Sequence, residues 1–123
     1  MFFSLFSIFS VTVQAQTASV DQPVRALIKA MDQEDAKAIR AQFAANATQA
    51  YGVDGQMKSA AQTKRWLESD IINRKGKVAQ PKFTVSGNEV VVQGEYTSTG
   101  YKSKANFLFT VENGLIRSWR MRY

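Results

Sequence analysis

Asp70 is the carboxylate of this sequence whose position could give it chemical work. It falls in a helical run that starts at Ser59. At about 100° per residue with Trp66 as zero, Thr63 lies near 60°, Leu67 near 100°, Ile71 near 140° and Asp70 near 40°, inside the apolar arc. A carboxylate on an apolar arc is either paired or has its pKa raised by burial. Read for function, Asp70 is a candidate catalytic acid or base beside a cavity. Read for structure, it is half of an ion pair or a helix-end residue turned to solvent. Asp54 precedes Gly55, and Asp-Gly is first a turn signal. Asp32, Glu34 and Asp35 lie close together, but around a corner between two helices, where carboxylates cap helices and face their dipoles. Oxygen-ligand calcium loops need a longer, regular spacing, so no metal is expected.

Two absences narrow the chemistry further. The 123 residues include no Cys, which removes disulfides, thiolate metal sites and thiol nucleophiles, and no His, which removes imidazole bases and ligands. No cofactor is expected. With 45% apolar and 11% aromatic residues the chain can bury a core, and its length makes one domain. Lys and Arg number 16 against 10 Asp and Glu, a formal charge of +6.

The elements that would carry these residues can be read from periodicity. Asp21 and Pro23 mark a helix start, and Val24, Leu27, Ile28 and Met31 follow at i, i+3, i+4 and i+7. Asp35 can cap a second helix carrying Ile39 and Phe43. A short extended piece, Thr48 to Tyr51, and a turn at Asp54-Gly55 lead to a third helix, capped by Ser59 and running to about Asn73. Beyond the basic loop Arg74-Lys75-Gly76-Lys77 the period becomes 2. Strands are expected at 78–85, 89–98, 102–112 and 115–123, with turns at Gly87-Asn88, Gly100 and Asn113-Gly114. Alternation puts Val90, Val92, Gly94, Tyr96 and Ser98 on one face of their strand, and Tyr101, Ala105, Phe107, Phe109 and Val111 on one face of the next. Helices followed by an antiparallel meander make an α+β layout, with the helices on the sheet's apolar face.

Residues 2–13 form an apolar run of about a dozen, shorter than the roughly 20 a spanning helix needs. Val13 and Ala15 then offer the small-residue spacing of a signal peptidase site. Residues 1–15 are therefore expected to be a signal peptide and 16–123 the mature domain, exported to a periplasm or secreted, with no membrane span after cleavage.

The order of elements resembles the nuclear transport factor 2-like superfamily, in particular its SnoaL-like and steroid-isomerase-like branches. The resemblance rests on the acidic corner Ala30-Met31-Asp32-Gln33-Glu34-Asp35-Ala36-Lys37-Ala38-Ile39, on Phe43-Ala44-Ala45-Asn46-Ala47, and on the ending from Phe107 to Tyr123. It implies three helices packed in the concavity of a strongly curved antiparallel sheet, a cone-shaped half-barrel whose open end is often a ligand cavity. The superfamily hosts isomerases, cyclases, dehydratases and hydrolases as well as proteins without catalysis. In the steroid-isomerase branch, the catalytic base corresponds to Tyr51, the acid of the oxyanion hole to Phe107, and the helix-one tyrosine to Leu27. Abstracting a proton beside a carbonyl needs a base and an oxyanion donor, and other branches use a His-Asp pair. The resemblance therefore leans away from an enzyme.

In the superfamily's register, Arg117, Trp119, Met121 and Tyr123 point into the cone, while Ile116, Ser118, Arg120 and Arg122 point out. With Tyr51, Trp66, Tyr96, Phe107 and Phe109 this implies an aromatic pocket with one inward cation, suited to a flat or apolar ligand whose anionic group Arg117 could fork onto. Asp70 would orient Arg117. The same side chains could instead simply fill the cone. Lys82, Lys102, Lys104, Arg120 and Arg122 fall on the outer sheet face, with Glu89 and Glu95 to pair them. That face is read as solvated, with no nucleic acid bound. Val91, Leu108 and Ile116 on it leave apolar area for a homodimer.

Three functions remain open: a non-catalytic, exported domain binding a small ligand in its cone; an interaction or dimerisation module with a filled core; and an isomerase, cyclase or hydrolase with an atypical site using Asp70, Tyr51 or Arg117. A pocket above about 300 Å3 with Arg117 and Asp70 in its wall would favour the ligand-handling readings.

Overall fold

The computed structural model describes residues 19–122. The expected signal peptide and Tyr123 lie outside these residues.

Helix α1, Gln22–Asp32, carries Pro23 in its first turn and buries Val24, Leu27, Ile28 and Met31, the stripe its periodicity predicts. Asp21 does not cap it. Its carboxylate takes the Arg25 guanidinium at 2.6 Å instead. The far end is closed by Lys77, whose ammonium donates to the Met31 and Asp32 carbonyls and to Glu34. That contact satisfies carbonyls which a helix end leaves without amide partners. Asp35 caps α2, Ala36–Ala41, by accepting from the Ala38 N–H.

Phe43 was expected on that second helix, but it opens strand β1, Phe43–Tyr51, which is longer than the expected Thr48–Tyr51. The reason is distant in sequence. Phe43 pairs in parallel with Ile116, and its ring stacks on Trp119 at 6.1 Å. Ser59 and Gln62 form a reciprocal capping box at the start of α3, Ala60–Trp66. The helix then widens into a π turn, Leu67–Ile72.

The four remaining strands are β2 (Lys77–Ser86), β3 (Glu89–Ser98), β4 (Tyr101–Glu112) and β5 (Leu115–Met121). They form an antiparallel meander to which β1 adds in parallel, in the order β1-β5-β4-β3-β2. The Asn113-Gly114 turn has φ of 53° and 76°, the left-handed pair that a two-residue hairpin needs. Two of the sheet's three register shifts help bend its meander. One lies between Ala79 and Lys82, around Gln80 at φ 51°, and packs so tightly on Gly94 that a Cβ there would stand 2.7 Å from the Ala79 carbonyl oxygen. The other lies between Thr110 and Val111 against β5.

The curved, unclosed sheet wraps its apolar face around the helices. Trp119, 1% exposed, lies at the centre of the core, with Trp66, Phe107 and Phe109 rings 4.9–5.4 Å from its own. Val90, Val92, Tyr96, Ala105, Phe107, Phe109 and Val111 are buried, the face that alternation assigns. Ile116 departs from the expected register. The bulge sets Val111 opposite Ile116 and Thr110 opposite Ser118, so Ile116 turns inward, wholly buried, and Arg117 is displaced from the inner row. No helix among the described residues is long and apolar enough to cross a membrane.

Candidate functional site

The cone is packed at its middle and open at one end. There the end of β1, the π turn, the β3–β4 hairpin and the end of β5 enclose a cavity of about 230 Å3. Tyr96, Phe107, Met121 and Ile71 supply its apolar wall. Tyr51, Asp70, Arg74, Lys104 and Arg122 supply polar groups, with Ser98, Tyr101 and Ser103 beside them.

The π turn places Asp70. Its i to i+5 hydrogen bonds, such as Asn73 N–H to the Glu68 carbonyl at 2.9 Å, shift the residues after Trp66 relative to a regular helix. Thr63, Trp66, Leu67 and Ile71 remain buried, while Asp70 is half-buried in the cavity wall. Among the described residues it makes no ion pair. Its Oδ1 accepts from the Ser69 hydroxyl at 2.7 Å and its Oδ2 from the Tyr51 hydroxyl at 3.3 Å. Tyr51 in turn accepts from the Trp66 indole N–H at 2.6 Å. The chain Trp66–Tyr51–Asp70 thus ties α3, β1 and the π turn together at the cavity rim.

Tyr96 lies deeper. Burial is the main cause that pushes its hydroxyl up to about 12, so at neutral pH it is a hydrogen-bond donor and not a base. Its oxygen passes close to Gly76, where an added Cβ would stand 2.3 Å from it.

The expected pocket residues divide. Tyr51, Tyr96, Phe107, Met121 and Asp70 line the cavity. Trp66 reaches it only through Tyr51, and Phe109 and Trp119 are core, 0% and 1% exposed. Arg117 does not reach the cavity and is not oriented by Asp70. Displaced by the bulge, it donates to the Asn46 carbonyl at 3.1 Å and lies 3.8 Å from Glu112. The cation at the end of β5 is instead Arg122, expected to point outward. The strand stops at Met121, and alternation no longer governs the next side chain. Arg74 and Lys104 were read only as surface charge. Their place at the cavity follows from the curvature that brings the π turn to the β3–β4 hairpin, for which the local sequence carries no signal.

Arg120 keeps its outward register but crosses to the loop after β1, donating to the Gly52 and Gly55 carbonyls at 3.0 and 2.8 Å. Asp54 is exposed in that loop and lies outside the cavity wall. At the acidic corner, Asp35 caps a helix and Glu34 pairs with Lys75 and Lys77. Among the described residues no group of three acidic side chains could hold a metal ion.

The SnoaL-like domain model matches residues 24–119, the whole span from α1 to the core tryptophan of β5. The chain belongs to the SnoaL-like domain family. Solved structures agree on the fold. A nuclear transport factor 2-like protein of unknown function from Cytophaga hutchinsonii superposes with a TM-score of 0.70 at 20% identity, covering 86% of this chain and 90% of that one. A provisionally assigned polyketide cyclase from Pseudomonas putida gives 0.69 at 16%, with 87% and 92% covered. A provisionally assigned ketosteroid isomerase from Kribbella flavida gives 0.68 at 10%, with 84% and 76% covered. No curated protein matches the sequence. In this SnoaL-like domain the three positions compared with the isomerase branch hold a wholly buried Leu27, a Phe107 ring in the cavity wall, and Tyr51 in its hydrogen-bond chain.

Proposed function

We propose that this SnoaL-like domain, exported as residues 16–123, binds a small molecule in the cavity at the open end of its cone and does not transform it. One observation carries the reading: an aromatic and apolar wall, Tyr96, Phe107 and Met121, faces a polar rim where Asp70, the one carboxylate among the described lining residues, already accepts from Tyr51 and Ser69. The volume of about 230 Å3 is below the roughly 300 Å3 where ordinary ligand sites begin, which favours a compact, single-ring ligand.

Residue types speak against catalysis. Proton abstraction needs a free base and a donor facing the developing oxyanion, whereas Asp70 is engaged and the residue at the oxyanion-acid position is Phe107. Association through the outer sheet is the weaker reading, because Ile116 has turned into the core. Val91 and Leu108, paired across β3 and β4, are left flanked by Thr84 and Arg120.

Native mass spectrometry of the protein purified from its own compartment, followed by turnover assays on whatever is retained, tests the proposal. An unmodified bound molecule is expected. Chemical conversion that disappears in Asp70→Asn would overturn the non-catalytic reading.

A further inference from the structure

We infer that the molecule held in this cavity carries a carboxylate, anchored by Arg122 with Arg74 and Lys104 beside it. The inference rests on the ligand-binding reading above and adds the ligand's charge and its anchor.

Among the described residues, three cations line the cavity against a single carboxylate. None of them comes within 4.0 Å of a carboxylate among the described residues: the ion pairs there use Arg25, Arg40, Lys75, Lys77, Lys102 and Arg117. Lys104 stands opposite Glu95 in the sheet, yet Glu95 lies nearer Lys102, at 4.0 Å. Arg74 gives one bond to the Thr99 carbonyl at 2.7 Å. Arg122 gives one to Asn106 Oδ1 at 3.0 Å, and its Nε is enclosed by protein with no acceptor. A guanidinium has five donors in a rigid fork, so most of Arg122's donors have no partner among the described residues. Partly burying a cation without a counter-charge is unfavourable, and an anion in the cavity removes that cost.

The neighbouring groups select the kind of anion. Carboxylate and phosphate both match the fork. Ile71, Tyr96, Phe107 and Met121 make part of the wall apolar, which disfavours a strongly hydrated dianion and suits a singly charged group on a ring. The Tyr96 hydroxyl, protonated at neutral pH, adds a donor. The carboxylate then sits at the rim against Arg122, and the ring lies inward on the aromatic wall.

The test compares 4-fluorobenzoate, 4-fluorobenzamide and phenyl phosphate on the folded protein, the first two by fluorine NMR titration and phenyl phosphate by competition. The carboxylate is expected to bind at least tenfold tighter than the isosteric amide, with the advantage shrinking as salt rises. Arg122→Gln should remove that advantage by lowering carboxylate affinity far more than amide affinity, Arg122→Lys should keep part of it, and Arg117→Gln should have no effect. Arg74→Gln, which follows the π turn and not β5, should reduce the advantage severalfold even if Arg122→Gln folds poorly. Equal affinity for carboxylate and amide overturns the inference and leaves the ligand-binding reading standing, as does phenyl phosphate binding tighter than the benzoate. Absence of binding by all three overturns both.

Discussion

The Tyr51 hydroxyl stands 3.3 Å from Asp70 Oδ2 and 2.6 Å from the Trp66 indole nitrogen, so one phenol links a core tryptophan to the carboxylate of the cavity rim. Tyr51→Phe leaves the Trp66 N–H without that acceptor and Asp70 with Ser69 alone. An enclosed donor left unpaired costs roughly 1–3 kcal/mol. Urea denaturation should show a loss in that range with an unchanged m-value, and Asp70→Asn should cost less because the amide oxygen still accepts.

Tyr96 predicts a late titration. Its folded pKa is raised by burial to about 12, so the protonated phenol is the form the native state favours. Its contribution to stability is complete below the ordinary value of 10.0 and is lost as the pH rises from there towards 12. Ultraviolet titration of the phenols should show one group lagging the others, and Tyr96→Phe should abolish that step and flatten the alkaline fall in stability.

Gly76→Ala should disturb the cavity from behind. The new methyl would stand 2.3 Å from the Tyr96 hydroxyl oxygen, and the ring must shift to make room. Overpacking of this kind costs about 1–3 kcal/mol. The variant is expected to melt lower and to move the Tyr96 and Phe107 ring resonances, while those of Val24 and Ile28 in α1 stay in place.

Glu68 gives the acid limb. The Arg40 guanidinium, bound at 2.6 and 2.9 Å, holds the Glu68 carboxyl below its ordinary 4.5. A lowered folded pKa means stability that is present above the unfolded value and lost as the pH falls through the folded one. Both side chains are about half exposed, so solvent screens the pair and its contribution is small. Glu68→Gln should lose that small contribution at pH 7, and the difference should vanish once the pH falls below the folded pKa of Glu68, when the two proteins are melted side by side.

The parts of the fold visible in the sequence were those set locally. The Ser59 and Asp35 caps, the α1 stripe and the period-2 strands with their Asn113-Gly114 turn depend on neighbours within a few residues, and each stands where the sequence put it. The failures share a distant cause. Phe43 left its expected helix because β5 pairs with it, and Arg117 and Ile116 exchanged roles because a bulge opposite Val111 shifted the register. Of the residues lining the cavity, alternation singled out Tyr96 and Phe107, and the resemblance singled out Tyr51 and Met121. Arg122 did not, because it lies one residue past the end of its strand, where no alternation remains to read.

The central claim is that a ligand sits at the open end of the cone, and the methyl resonances of the methionines test it directly. Met121 lines the cavity, whereas Met31 is 1% exposed in the α1 core and Met57 lies in the loop before α3, outside the cavity wall. Titration of 13C-methyl-methionine protein with 4-fluorobenzoate should move the Met121 resonance in a saturable way and leave Met31 and Met57 where they are. Saturable binding that moves Met31 or Met57 and leaves Met121 unmoved would contradict the account.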